Sequence, residues 1–241
     1  MISFSGKKRL FGEEAFAQIA SESTIGLINL LVGRSLSDAQ AHSSSLHRKI
    51  HLLEDSQGRL MAEIKRANDD DEPTRFHITS LLAMYLAHLN EQITTPSNPS
   101  PIFCFALYPQ FTPRVARAYR DACAIAGIDT SRVRLVDSAN ALVTTYARKV
   151  NALGGPRALS LCNQMVMLVD MGHVQTTVCI VMFPDTQNTQ TPNSSTTEAV
   201  LEMPRLLAVT HDHNLGAHDF DNRIFDHFAS ACLLNHSTKV N

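Results

Sequence analysis

Two clusters hold most of the side chains in this 241-residue chain that could do chemistry. The first is Asp170-Met171-Gly172-His173, set between the apolar runs 165–169 and 178–183. A carboxylate at a strand end, followed by a glycine that exposes backbone N–H groups, suits a metal-bound phosphate. The same pattern also builds ordinary turns, in which the carboxylate caps local N–H groups. The second cluster is His211-Asp212-His213, with His218, Asp219 and Asp221 close behind. A His-x-His pair on a strand end can bind zinc, and nearby carboxylates could complete a hydrolase site. No third ligand follows at an established zinc spacing, so a metal-dependent hydrolase built on His211 and His213 is the lesser reading. His173 is of the type that titrates near neutral pH, but no nucleophile is paired with it in sequence.

The elements that must position these residues are legible in the apolar pattern. The runs on either side of Asp170 and Gly172 read as adjacent strands joined by a tight turn. Upstream, residues 103–107 read as a strand, with Cys104 and Cys179 as reduced core cysteines inside their strands. Thr112 is a natural helix N-cap and Pro113 a favoured first helical residue. Val115, Ala118, Ala122 and Ile125 form one stripe that predicts burial against a sheet, and Gly127 supplies the stop. A strand at 132–137, a helix at 139–149, a strand at 206–210 and a helix opening within 214–228 follow. The first part predicts short helices at 13–19 and 23–31, and a hairpin of 47–59 with 60–65 around Ser56-Gln57-Gly58. Ile78, Leu81, Leu82, Tyr85, Leu89 and Ile93 mark one face of a longer helix. The acidic stretch 68–73 reads as a solvated loop without calcium-loop spacing, and 184–197 as a long polar surface loop. The Pro-rich connector 94–101 divides the chain into an α+β subdomain at 1–95 and a core at 102–241.

This series of motifs resembles the nucleotide-binding domain of the heat shock protein 70 family, the DnaK-type chaperones. Tyr108-Pro109 through Ala126-Gly127 follows the family's strand, aromatic turn and helix. Leu215-Gly216-Ala217-His218-Asp219-Phe220-Asp221-Asn222-Arg223 follows its Leu-Gly-Gly-x-Asp-Phe-Asp-Asn-Arg helix start. Residues 8–15 and Leu31-Val32-Gly33-Arg34 look like its first segments. The resemblance implies an α/β fold, an actin-like ATPase domain of ribonuclease-H-like topology. It would be mostly lobe I, truncated at both ends, without the N-terminal phosphate hairpin and most of lobe II. By the same resemblance Asp170, Gly172, His173, Gly216 and Ala217 stand at the cofactor positions, for ATP and magnesium.

Departures from the family decide the functional expectation. In a gapless alignment, Asn29 stands where the family has Lys, Ser138 where it has Glu, and Asn140 where it has Thr. In the phosphate loop His173 and Val174 replace glycines and Gln175 replaces Thr, so bulk stands where glycine permits close approach. The Asp-Met-Gly-His loop is similar to that of the heat shock protein 110 branch, which acts in nucleotide exchange. A degenerate or truncated chaperone domain is therefore expected, with weak or absent nucleotide binding and neither catalytic residues nor metal ligands assigned. Its implied role is in protein folding and the stress response, as co-chaperone or exchange partner of a DnaK-type chaperone or an unfolded client. The alternative is an ATPase chaperone whose hairpin is missing from this sequence. Self-association through an exposed sheet edge is a further expectation.

Composition limits the other classes. A 44% hydrophobic content is globular, and a net charge of −2 provides no electrostatic footprint for nucleic acid or an anionic membrane. Five scattered cysteines without a Cys-x-x-Cys pair indicate neither a zinc knuckle nor a disulfide framework. No apolar run is long enough to span a bilayer, and the opening Met-Ile-Ser-Phe-Ser-Gly lacks a signal h-region, so a cytoplasmic location is expected.

Overall fold

The computed structural model describes residues 1–6, 8–41, 50–65, 72–109, 111–153, 161–184 and 203–236. In chain order the elements are β1 (Ile2–Ser3), β2 (Leu10–Phe11), α1 (Gly12–Phe16), β3 (Thr24–Ile25), α2 (Ile28–Leu31) and α3 (Leu36–Ala41). Then come β4 (His51–Glu54), β5 (Leu60–Ile64), β6 (Thr74–His77), α4 (Ile78–Ile93), β7 (Phe103–Leu107), α5 (Pro113–Ile125) and β8 (Val133–Asp137). The last are α6 (Ser138–Leu153), β9 (Met165–Met171), β10 (Thr176–Met182), β11 (Arg205–Asp212) and α7 (Ala217–His236). Two compact units result, 1–105 with 111–135 and 106–110 with 136–241. The connector at 94–101 lies inside the first unit, and the division runs through β7 and β8 instead.

In the first unit, β1 sits between β2 and β3, and β5 between β4 and β6, all antiparallel. The predicted hairpin forms as β4 and β5, pairing Leu52 with Ala62 and Glu54 with Leu60. Leu60, Ala62 and Ile64 alternate inward and are buried, the period-two signature of a half-covered strand. Two expectations fail here. The helix predicted at 23–31 is a helix only at Ile28–Leu31, because the β-branched pair Thr24–Ile25 is buried in the ladder with Ile2–Ser3. The helix predicted at 13–19 ends at Phe16.

Helix α4 buries Ile78, Leu81, Leu82, Ala83 and Leu86, while Ile93 at its end is exposed. Helix α5 packs against α4. Its start and stop are as the sequence suggests. The Thr112 hydroxyl accepts the Val115 N–H at 3.3 Å. The Gly127 and Ile128 N–H groups close the far end on the Ala124 and Cys123 carbonyls at 3.1 and 2.9 Å, a Schellman motif made possible by Gly127 at φ +75°. The predicted stripe is corrected: Val115, Tyr119, Ala122 and Cys123 are buried, and Ile125 is 63% exposed. The buried residues lie along the i, i+4, i+7 line from Val115, with α4 as one partner and Phe105 of β7 against Tyr119 at 5.5 Å as another.

In the second unit, β10 is central between β9 and β11, antiparallel to both. One face carries Cys179, Val181 and Phe183 against Val143, Ala147 and Val150 of α6, with Tyr146 edge-on to Phe183 at 6.0 Å. Cys179 is thus a core cysteine, but Cys104 is exposed, because β7 buries Phe103 and Leu107 on the other side of its pleat. The opposite face of β9 exposes Met165, Met167, Val169 and Met171. Most of the acidic stretch 68–73 and the polar loop from 185 onward lie outside the described residues.

Candidate functional site

The site is built from three pieces of the second unit: the β9–β10 turn, the end of β11, and the start of α7. Gly172 turns the chain, donating its N–H to the Gln175 carbonyl at 2.8 Å. Asp170 lies near the end of β9, exposed, in register with Thr177 of β10, which in turn faces His211 of β11. Its charge reaches the interior: the Cys179 thiol is pushed up, first by burial and then by the negative charges of Asp137 and Asp170.

The α7 start is locked to the turn by the main chain. Gly216 holds the N-cap position and has no side chain to offer the orphan N–H groups of the first turn. The phosphate-loop carbonyls take that role. Ala217 N–H donates to Gly172 O at 3.0 Å and His218 N–H to His173 O at 2.8 Å. The Gly216 N–H donates to Asp219 Oδ2 at 2.8 Å, the acidic half of a capping box. The Thr176 hydroxyl donates to Leu215 O at 2.6 Å and fastens the same segment. This contact demands glycine, since a β-carbon at 216 would stand 2.5 Å from His173 O and 2.7 Å from Val174 Cα.

The histidines form an aromatic group rather than a ligand set. His211 and His213 lie 4.4 Å apart with Tyr108 against both, and His213 Nδ1 is 3.1 Å from Gln175 Oε1. His173 sits 5.4 Å from His218, centroid to centroid. Among the described residues no group of three or more His, Cys, Asp or Glu could hold a metal ion. The geometry therefore lends no support to a hydrolase on His211 and His213.

All five sequence-predicted positions, Asp170, Gly172, His173, Gly216 and Ala217, thus meet at one place. Three contributors were not foreseen. Asp219 as a cap had a readable signal in its spacing from Gly216, whereas Gln175 with His213 and Thr176 with Leu215 join residues 38 and 39 apart. At the other predicted position, Asp137 Oδ1 accepts from Ala139 N–H at 2.8 Å and Asn140 N–H at 3.4 Å. Asp137 therefore caps α6, and Ser138 is only the first residue of that helix.

A magnesium nucleotide is a poor fit to these residues. Helix N-termini bind phosphate through free N–H groups, but those of Ala217, His218 and Gly216 are spent on Gly172, His173 and Asp219. In the turn the His173, Val174 and Gln175 N–H groups meet no acceptor among the described residues, and all three residues carry side chains where glycine would permit close approach. Three turn N–H groups and one carboxylate do not make a triphosphate cradle.

An α/β unit with a phosphate-loop hairpin latched to a helix start defines the class: part of an actin-like nucleotide-binding domain. The chain belongs to the heat shock protein 70 family, whose description "Hsp70 protein" matches residues 1–240. It is 29% identical over 234 residues, 95% of the chain, to heat shock 70 kDa protein 16 of Arabidopsis thaliana. It is 26% identical to a heat shock protein homolog of Candida glabrata and to heat shock 70 kDa protein 14 of Arabidopsis thaliana, again over 95% of the chain. Its Asp170-Met171-Gly172-His173 loop is similar to that of the family's 110 branch. The chain spans 27%, 30% and 25% of the lengths of these three curated relatives. Among the described residues no helix is long and apolar enough to cross a membrane.

Proposed function

We propose that this chain is a degenerate nucleotide-binding domain piece that does not turn over nucleotide and acts in cytoplasmic protein folding as a co-chaperone. Its partner is a DnaK-type chaperone, whose nucleotide release it promotes, or an unfolded client. The observation that carries the reading is the closure of the phosphate loop on α7 through the Gly172 and His173 carbonyls. A loop whose donors are consumed internally is a scaffold rather than a catalyst. Asn29, Ser138 and Asn140 at the family's Lys, Glu and Thr positions point the same way.

The test combines two measurements on the whole chain. Added to a DnaK-type chaperone loaded with fluorescent ADP, the chain accelerates nucleotide release while hydrolysing no ATP itself. Titration calorimetry with magnesium-ATP is expected to place any dissociation constant above about 1 μM, weaker than roughly −8 kcal/mol. Tighter binding with turnover favours the alternative, an ATPase chaperone that uses Asp170 and the open N–H groups of His173, Val174 and Gln175. Failure both to accelerate release and to hold an unfolded client overturns the co-chaperone reading.

A further inference from the structure

The sheet of the second unit has one face against α6 and one that is open among the described residues. On the open face the cross-strand register sets residues in rows, from Met165–Met182–Arg205 at one end to Met171–Thr176–Asp212 at the other. The rows between them carry no charge: Met167 is 66% and Ile180 40% exposed, and Val169 lies beside them. Asp170 belongs to the other side of the pleat, in register with Thr177 and His211. The two charges of the open face are therefore Arg205 and Asp212, at opposite ends of β11. Both are exposed, and neither is in an ion pair among the described residues.

A partner for this face must offer apolar surface at its middle, an anion over Arg205 and a cation over Asp212. A second copy of the same face meets all three demands. A two-fold axis in the plane of contact, running across the strands midway along them, reverses the strand direction. It sets Arg205 of each copy over Asp212 of the other, Met165 over Met171, and Met167 over Val169. That is the self-complementarity an isologous contact requires, whereas one sign of charge at both ends would repel a copy. Stacked sheets lie about 10 Å apart with nearly aligned strands, a gap that an arginine and an aspartate side chain together span. The Asp212 carboxylate is steadied for this by Asn214, whose N–H donates to Oδ1 at 2.8 Å. Methionines, unbranched and adaptable, fill the middle of such a contact.

We infer that the open face of β9, β10 and β11 docks on the same face of a second copy of this chain, in a two-fold dimer closed at both ends by Arg205 and Asp212. Three strands of this length make a face of roughly 14 Å by 23 Å, small among specific interfaces. The dimer is accordingly weak, with a dissociation constant on the order of 10 μM. Pairing through the edge of β9 is a different contact: it uses main-chain groups and leaves residues 205 and 212 two strands away. The inference stands apart from the co-chaperone reading, which does not involve this face.

The test is sedimentation velocity of the full chain from about 1 to 100 μM, a range that brackets the expected constant. A monomer–dimer equilibrium is expected. Arg205→Asp alone and Asp212→Arg alone each place like charges together twice and should weaken the dimer at least about tenfold. An equimolar mixture of the two variants restores both ion pairs and should dimerise like the parent, as should the double variant. Thermal melting of each variant checks its fold. Met167→Lys, at an exposed apolar position away from the turn at Asn214, should also abolish the dimer and serves if Asp212→Arg does not fold. A monomer at every concentration, as when α7 of the same chain covers the face, overturns the inference. So does a dimer indifferent to these variants, as edge pairing would be to the charges, or one weakened by both charge variants and not restored by mixing them.

Discussion

The contact between Gly216 and the His173 carbonyl is the tightest constraint at the residue scale. Its neighbours are backbone atoms, which cannot swing aside as a flexible side chain would. Gly216→Ala should therefore displace the phosphate loop and cost about 1–3 kcal/mol, as overpacking does, read from chemical denaturation. An unchanged midpoint would mean that the latch between Gly216 and His173 opens freely. A second constraint sits in the β4–β5 turn. The Asp55 carboxyl is held at about 2, chiefly by the Arg59 backbone N–H, with the Arg59 guanidinium and the Gln57 N–H adding to it. A depressed carboxyl pKa contributes stability that is present above the unfolded value and lost as pH falls through the folded one. Acid titration of thermal stability should show a decline between about pH 4 and 2, and Asp55→Asn should flatten that part of the curve. Identical profiles for parent and variant would remove the turn from the account of acid sensitivity.

At the scale of elements, α5 separates what a cap contributes from what a core contributes. Thr112→Ala removes the acceptor for the Val115 N–H and should cost about 1 kcal/mol. Tyr119 is buried, with its ring 5.5 Å from Phe105, so Tyr119→Ala should cost about 3 kcal/mol or more. Ile125→Ala should change stability by less than about 0.5 kcal/mol, as an exposed substitution does. Urea midpoints for the three variants check the order. An Ile125→Ala loss equal to that of Tyr119→Ala would restore the stripe drawn from sequence and contradict the observed burial. A helix stripe predicts which residues share a side; it does not say where the partner's edge falls. Here the edge falls between Cys123, which is buried, and Ile125, which is exposed.

For the molecule as a whole, the open surface of β9 is the dominant liability. Among the described residues this strand is at the edge of its sheet, with Met165 66% and Val169 56% exposed. An apolar strand with unpaired backbone groups is a template for another chain. Two copies of β9 paired antiparallel about Leu168 would set Met165 against Met171 and keep the Asp170 carboxylates apart, opposite Val166. Light scattering should show concentration-dependent self-association, and Val169→Lys, a charge on the exposed edge, should suppress it. A monodisperse monomer at every concentration would show that the edge is protected.

Much of this was legible in the order of residues alone. The strands on both sides of Asp170 and Gly172, the cap at Thr112, the stop at Gly127 and the helix start after Gly216 are local consequences of residue type, since β-branched runs, hydroxyl caps and glycine turns act within a few residues. The family resemblance, carried by Leu215 through Arg223 and the Asp170 loop, rests on the same local motifs. Burial was less readable. Cys104 faces outward, Ile125 lines a cavity, and Thr24–Ile25 joins a ladder with Ile2–Ser3. In each case the deciding neighbour is distant in sequence. The closure of the phosphate loop is of this kind too. Substitution at His173 and Val174 shows only that glycine is gone, whereas the loss of the α7 donors depends on Gly172 and His173 carbonyls reaching Ala217 and His218 at 3.0 and 2.8 Å. Main-chain hydrogen bonds between segments more than forty residues apart leave no trace in residue type, because every residue has a carbonyl; only the tertiary fold chooses which ones meet.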